Sequence, residues 1–188
     1  MKVSVTNSKT LNSKYADRYS ASVTINLPAD QIDLKKWFIE MKETDYTSYS
    51  PAHIAMNSYN SGETIFSTNV ENIGTDQIVQ HYRMEYGSED HVFLYSPESK
   101  VYILRFVPVS VGVPWEMQIR PVSKNTCEFV CMFGIDYPNW LLKTVFSLYG
   151  LRGLFLKRHL KKEGVAFAKD IEKFSKKRSS LSDLNNLL

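Results

Sequence analysis

The chain has 188 residues, of which 43% are hydrophobic and 13% aromatic, which fits one globular domain with a real core. The first eighteen residues are polar and mixed, so no secretory signal is read. The best span candidate, 140–156, is short and broken by Lys143 and Arg152. The net charge of +3 hides an asymmetry: residues 141–178 carry eleven Lys/Arg against three Asp/Glu. That surplus reads chiefly as a solvated helix face. It leaves docking on an anionic membrane surface or a protein partner as a lesser expectation, and nucleic-acid binding is not expected because no exposed aromatics interleave the basic residues.

Residues 1–18 lack periodicity and read as an N-terminal arm. Tyr19, Ala21, Val23, Ile25 and Leu27 then alternate onto one face of a strand. Pro28-Ala29-Asp30 opens a helix that places Leu34, Trp37, Phe38 and Met41 at helical spacing, and residues 44–51 read as a loop. From there the period is two. Strands are predicted near 52–59, 63–72, 76–86, 90–97, 100–109, 113–122 and 125–135, with turns at Asn60-Ser61-Gly62, Gly74-Thr75, Gly87-Ser88-Glu89, Pro97-Glu98-Ser99 and Ser123-Lys124-Asn125. Links this short imply antiparallel neighbours.

Tyr137-Pro138-Asn139 stops the last strand and starts a helix predicted to run from Asn139 to Phe174. At 1.5 Å per residue such a helix spans roughly 54 Å, enough to cross a sheet. Its inward stripe includes Leu142, Phe146, Tyr149, Gly153, Leu156, Leu160, Gly164, Phe167 and Ile171. Two of these positions are glycine, which implies either very close backbone packing or a space left for something else. The expected architecture is therefore α+β: a curved antiparallel sheet of about seven strands wrapped around a long C-terminal helix, a helix-grip. The domain spans 19–174, and 175–188 form a flexible tail.

Strand parity proposes the wall facing that helix: Tyr82 and Met84; Tyr102, Leu104 and Phe106; Trp115 and Met117; Phe129, Cys131 and Phe133. With Leu142, Phe146, Tyr149 and Gly153 these are the candidate ligand-binding residues, aromatic and methionine groups that line adaptable apolar pockets. Phe146, Tyr149 and Gly153 are expected to form a lid. A filled core reads as well from the same pattern. Arg105 interrupts an apolar strand and is a candidate polar anchor for a ligand carboxylate. Cys127 and Cys131 lie about 13 Å apart at strand rise, too far for a disulfide, and read as buried thiols in a reducing, cytoplasmic setting. His53, His81, His91 and His159 have no partner at an informative spacing, so no catalytic residue is assigned. No phosphate-loop, dinucleotide or metal-ligand pattern appears, so no cofactor or metal is expected.

Four segments carry a resemblance: Ile25-Asn26-Leu27-Pro28-Ala29-Asp30, Asn69-Val70-Glu71-Asn72-Ile73-Gly74, Pro114-Trp115-Glu116-Met117-Gln118-Ile119, and Lys162 to Ile171. With the element order, they resemble the START-like or Bet v 1-like (SRPBCC) superfamily, and within it bacterial proteins of the polyketide cyclase/dehydrase and lipid-transport kind. The resemblance implies a hydrophobic cavity between sheet and helix that holds a lipid or polyketide-like small molecule. In some members the cavity also performs cyclisation or hydrolysis. The superfamily shares no invariant catalytic set, so no catalytic residue transfers.

Overall fold

The computed structural model describes residues 3–6, 14–148 and 151–185. Eight strands form one antiparallel sheet in the order β1-β2-β8-β7-β6-β5-β4-β3. They are β1 (Val3–Thr6), β2 (Ala16–Ile25), β3 (His53–Ser61), β4 (Thr64–Ile73), β5 (Asp76–Gly87), β6 (His91–Ile103), β7 (Val107–Ser123) and β8 (Thr126–Asp136). Between β2 and β3 lie a 3₁₀ turn (Ala29–Gln31), α1 (Leu34–Glu40) and α2 (Glu43–Tyr49); α3 (Trp140–Leu148) and α4 (Leu151–Asn185) close the chain. This is the α+β helix-grip arrangement. The segment expected as a loop forms α2, and the expected arm contributes β1, which pairs with β2 through Val3 opposite Val23.

The sheet curves because its ladders are interrupted. Register shifts fall between Val79 and Arg83, between Ser96 and Ser99, and between Pro121 and Ser123. Bulges of this kind bend a strand and increase its twist. The second interruption corrects the expected turn at Pro97-Glu98-Ser99: the chain continues through it as β6, and the reversal comes at Leu104–Phe106. Leu104 and Arg105 take left-handed backbone angles there, with φ of 50° and 68°. Asp76 steadies the turn by accepting a hydrogen bond from the Leu104 amide at 2.9 Å.

The helical part also differs from expectation. The single helix of Asn139–Phe174 is two elements, α3 and α4, and α4 continues past Phe174 to Asn185. The expected tail is helical because it is tied down: Ser175 is buried, and Arg178 pairs with Asp33 on the approach to α1 at 2.8 Å. At the start of α3 the Asn139 carboxamide accepts from the Leu142 amide at 2.9 Å, capping the first turn. Lys143 then anchors α3 by donating to the Ala16 carbonyl at 3.1 Å.

Phe167 of α4 is fully buried, with Trp37, Tyr49, Trp115 and Phe129 rings around it at 5.0 to 6.5 Å. Trp37 and Tyr49 both donate to the Asp170 carboxylate at 2.8 Å, holding α1 and α2 against α4. Gly164 marks the close approach of α4 to β2. A β-carbon built there would lie 3.6 Å from that of Ala21 and 3.9 Å from a Val23 methyl, which is ordinary contact. A methyl group would thus just fill the gap, so the packing at this glycine is neither too tight for a side chain nor open enough to hold a ligand. Gly164→Ala is therefore expected to stabilise the fold by up to about 1 kcal/mol through helix propensity, with no clash to offset it. A urea midpoint that falls would contradict this.

Candidate functional site

The interior between sheet and helices holds a cavity of about 270 Å³ at the α3 end of the sheet. Ile73, Ile78, Val101, Phe133, Ile135, Phe146 and Leu156 give it apolar walls, and Asp17, Tyr19, Asp76, Gln77 and Tyr137 supply polar atoms. Parity explains who is there. Ile78, Val101 and Ile135 are inward positions of β5, β6 and β8, and α3 covers them with Phe146, whose ring lies 5.3 Å from that of Tyr137. Tyr137 donates to Asp17 at 2.9 Å, fixing that carboxylate at the cavity.

The proposed residues divide sharply. Phe133 and Phe146 line this cavity. Tyr82, Trp115 and Phe133 border a second void of about 10 Å³, deeper in the domain. Met117, Phe129 and Cys131 are fully buried core, and Met84 and Leu142 are half-buried against that core. Leu104 and Phe106 do not face inward: they are 58% and 85% exposed on the β6–β7 turn. Arg105 sits between them, exposed, and cannot anchor a ligand inside. Tyr102 occupies the face opposite buried Val101. For Tyr102 the cause is the Ser96–Ser99 bulge, where three residues of β6 advance against two of β7, so inward parity passes from Val92, Leu94 and Ser96 to Ser99 and Val101; residues 104–106 belong to the turn. Tyr149, and the surroundings of Gly153, lie outside the described residues. Only the Phe146 part of the expected lid can therefore be placed.

A polar cluster adjoins the deeper void. Glu71 and His53 face each other across the β4–β3 ladder, and His159 and Glu163 are one turn apart on α4. Nε2 of His159 is 3.3 Å from Glu71 and 3.6 Å from Glu163, and Nε2 of His53 is 3.4 Å from Glu163. Tyr46 of α2 donates to Glu71, receives a hydrogen bond from Asn69 at 3.3 Å, and stacks on the His53 ring at 3.9 Å. Ser67 extends the network by donating to Asn69 at 2.7 Å. Among the described residues, His53, Glu71 and His159 bring possible metal-ligand atoms within 4.8 Å of one another. Spacing along the sequence showed no such pattern; the fold brings these three residues together.

Burial alone would lift the Glu71 carboxyl, but His159, then His53 and Tyr46, hold it down at about 2. Burial would likewise lower His159, yet Glu163 and Glu71 raise it to about 9 against a weaker opposing effect of Lys162. The signs follow. A depressed carboxylate contributes stability that is present above its unfolded value, near 4.5, and lost as pH falls through about 2. A raised imidazole contributes stability that is present below its unfolded value, near 6.5, and lost as pH rises through about 9. In a chelator-treated sample the urea midpoint is expected to be highest between these limits and to fall on both sides. A midpoint that stays level from pH 6.5 to 9.5 (roughly the span of the His159 shift) would contradict the assignment.

The cluster escaped the sequence reading, which treated its histidines singly. One usable signal was present: His159 and Glu163 are four apart on a helix and so share a face. Asp17 and Asp76 carried no such mark. Cys127 and Cys131 are free and buried, as expected, and burial raises both thiols, which removes them as nucleophiles. His91 pairs with Glu116 at 2.9 Å, away from the cavity, and His81 is exposed.

This sheet-and-helix grip around an interior cavity is the START-like, SRPBCC fold. The chain is similar to the ZhuI aromatase/cyclase of Streptomyces sp. R1128, with 10% identity, 87% of this chain and 96% of that one covered, and a TM-score of 0.55. It is similar to human STARD10 at 12% identity, covering 93% of this chain and 72% of that one with a TM-score of 0.55. It is similar also to a Thalictrum norcoclaurine synthase at 10% identity, 87% and 96% coverage and a TM-score of 0.53. No family model matches the sequence, and no curated protein is similar to it in sequence. Likeness at such identities establishes the fold. No helix among the described residues is long and apolar enough to cross a membrane.

Proposed function

We propose that the protein binds an apolar small molecule bearing a hydroxyl or amino group in the cavity between the sheet and α3. The supporting observation is the lining itself: seven apolar side chains with Asp17, Asp76 and Gln77 among them. Sites of this kind bury the ligand on apolar walls and orient it with a few polar groups. Carboxylates there favour a donor on the ligand and disfavour a carboxylate, the reverse of what an arginine anchor would select. The volume of about 270 Å³ falls just below the ~300–1,000 Å³ usual for small-molecule sites. That suits a fused-ring or single-chain ligand better than a two-chain phospholipid. The aromatase/cyclase neighbour on the same fold is compatible with this reading, and the free buried thiols suit a cytoplasmic protein.

Titration with 2-naphthol and with 2-naphthoate tests it. Naphthol is expected to bind at least about tenfold more tightly, a difference of about 1.4 kcal/mol. Equal affinity, or a preference for the carboxylate, would refute the donor preference. A second reading, acid–base catalysis on the bound molecule, has one observation in its favour: Glu71, His159, Glu163 and Tyr82 border the deeper void. It requires His159→Gln to abolish turnover of a bound substrate while leaving 2-naphthol affinity unchanged.

A further inference from the structure

We propose that His53, His159, Glu71 and Glu163 form a binding site for one divalent transition-metal ion of the zinc class. The inference is independent of the apolar ligand, since it concerns a different set of side chains and an ion that binds without it.

Geometry carries the argument. Zinc bound by imidazole nitrogen and carboxylate oxygen at about 2.0–2.1 Å in a tetrahedron places neighbouring donors about 3.3 Å apart. One donor atom each from His53, Glu71 and His159 lies within 4.8 Å of the others. The 3.3 Å from His159 Nε2 to Glu71 is the length of such an edge, and Glu163 stands beside the group with one oxygen 3.4 Å from His53 and the other 3.6 Å from His159, placed to complete it as the fourth ligand. Neither Nε2 makes a hydrogen bond, although both are buried and within ion-pair distance of carboxylates. The His53 side chain is 0% exposed, so its Nε2 has no access to bulk water in exchange. In the deprotonated rings each Nε2 turns a buried lone pair toward carboxylates, which is costly unless a cation occupies it.

The surroundings are those of a ligating set. Nδ1 of His53 lies 2.7 Å from the Tyr46 carbonyl, which can only accept, so in the neutral ring the proton sits on Nδ1 and Nε2 is free to ligate. Nδ1 of His159 faces the Ser50 hydroxyl at 3.4 Å. Tyr46 donates to the other oxygen of Glu71, orienting that carboxylate as outer partners of metal sites do. Two carboxylates balance one divalent charge, and mixed imidazole and carboxylate donors suit zinc, iron or nickel better than calcium or magnesium. The water-sized void beside Glu71, His159 and Glu163 shares Tyr19, Phe133 and Leu156 with the main cavity. An ion at the cluster would therefore stand at the inner end of that cavity.

The test is titration of the tag-free, chelator-stripped full chain with Co²⁺, followed by competition with Zn²⁺. One Co²⁺ per chain is expected, with the intense visible absorption of a four-coordinate ion, bleached on adding one equivalent of Zn²⁺. Glu163→Gln and His159→Gln should each abolish that absorption. Tyr46→Phe, which keeps the ring stacked on His53, should weaken binding about 10–100-fold, and His91→Ala should change nothing. Folding of each variant is read by near-ultraviolet circular dichroism. The wild-type spectrum stands as evidence even if a variant fails to fold. Absence of the absorption in folded wild-type protein, or its persistence in folded Glu163→Gln and His159→Gln, overturns the site.

Discussion

Glu71→Ala is expected to lower the unfolding free energy by about 3–5 kcal/mol, the cost of breaking a buried charge pair from one side. Glu71 is buried on β4, where it accepts from Tyr46 and pairs with His159. Removing it leaves the fully buried Tyr46 hydroxyl without its acceptor, with only the bond it receives from Asn69, and leaves two imidazoles to share Glu163. Against a typical total of about 5–15 kcal/mol, the loss is large enough to leave a sizeable unfolded population at body temperature. Glu71→Gln keeps the shape and an acceptor for Tyr46, so it should cost less than the alanine variant. Urea unfolding in the presence of chelator measures both. An alanine variant within about 1 kcal/mol of wild type would show that the cluster is a solvated decoration and not a structural network.

The second large effect concerns the cavity. Ile73→Trp, at a half-buried wall position, is expected to reduce 2-naphthol affinity more than about tenfold, because the indole occupies the space the ligand needs. Stability should change by less than about 1.5 kcal/mol, since the added volume enters an existing void and not a filled core. Phe106→Ala, on the exposed β6–β7 turn, should leave binding unchanged. Isothermal titration of the two variants separates the positions. Loss of affinity in Phe106→Ala together with none in Ile73→Trp would place the ligand outside the cavity.

Much of the fold was legible because the strands alternate and the links between them are short. The inward rows through Trp115 and Met117, and through Phe129 and Cys131, are buried where parity put them, since β7 and β8 pair without a break across those residues. Parity failed at Tyr102 because β6 runs on through Pro97 with a bulge, and one extra residue moves later strand side chains to the other face. It failed at Leu104 and Phe106 because the expected strand is a turn there. Gly164 was legible as an anomaly and ambiguous as to cause. Its neighbours, Ala21 and Val23, lie more than 140 residues earlier in the chain, so only the folded packing could decide. The cluster of His53, Glu71 and His159 is distributed over β3, β4 and α4 in the same way. Spacing along the chain carries almost none of that convergence, apart from the four-residue step from His159 to Glu163.

Binding as proposed depends on the cavity under α3 being a ligand site. A crystal structure at saturating 2-naphthol tests it most directly. The predicted result is the fused ring between Phe133, Phe146 and Leu156, with its hydroxyl donating to Asp17 or Asp76. A ring bound only on the outer surface, with no 2-naphthol in the cavity, would contradict it.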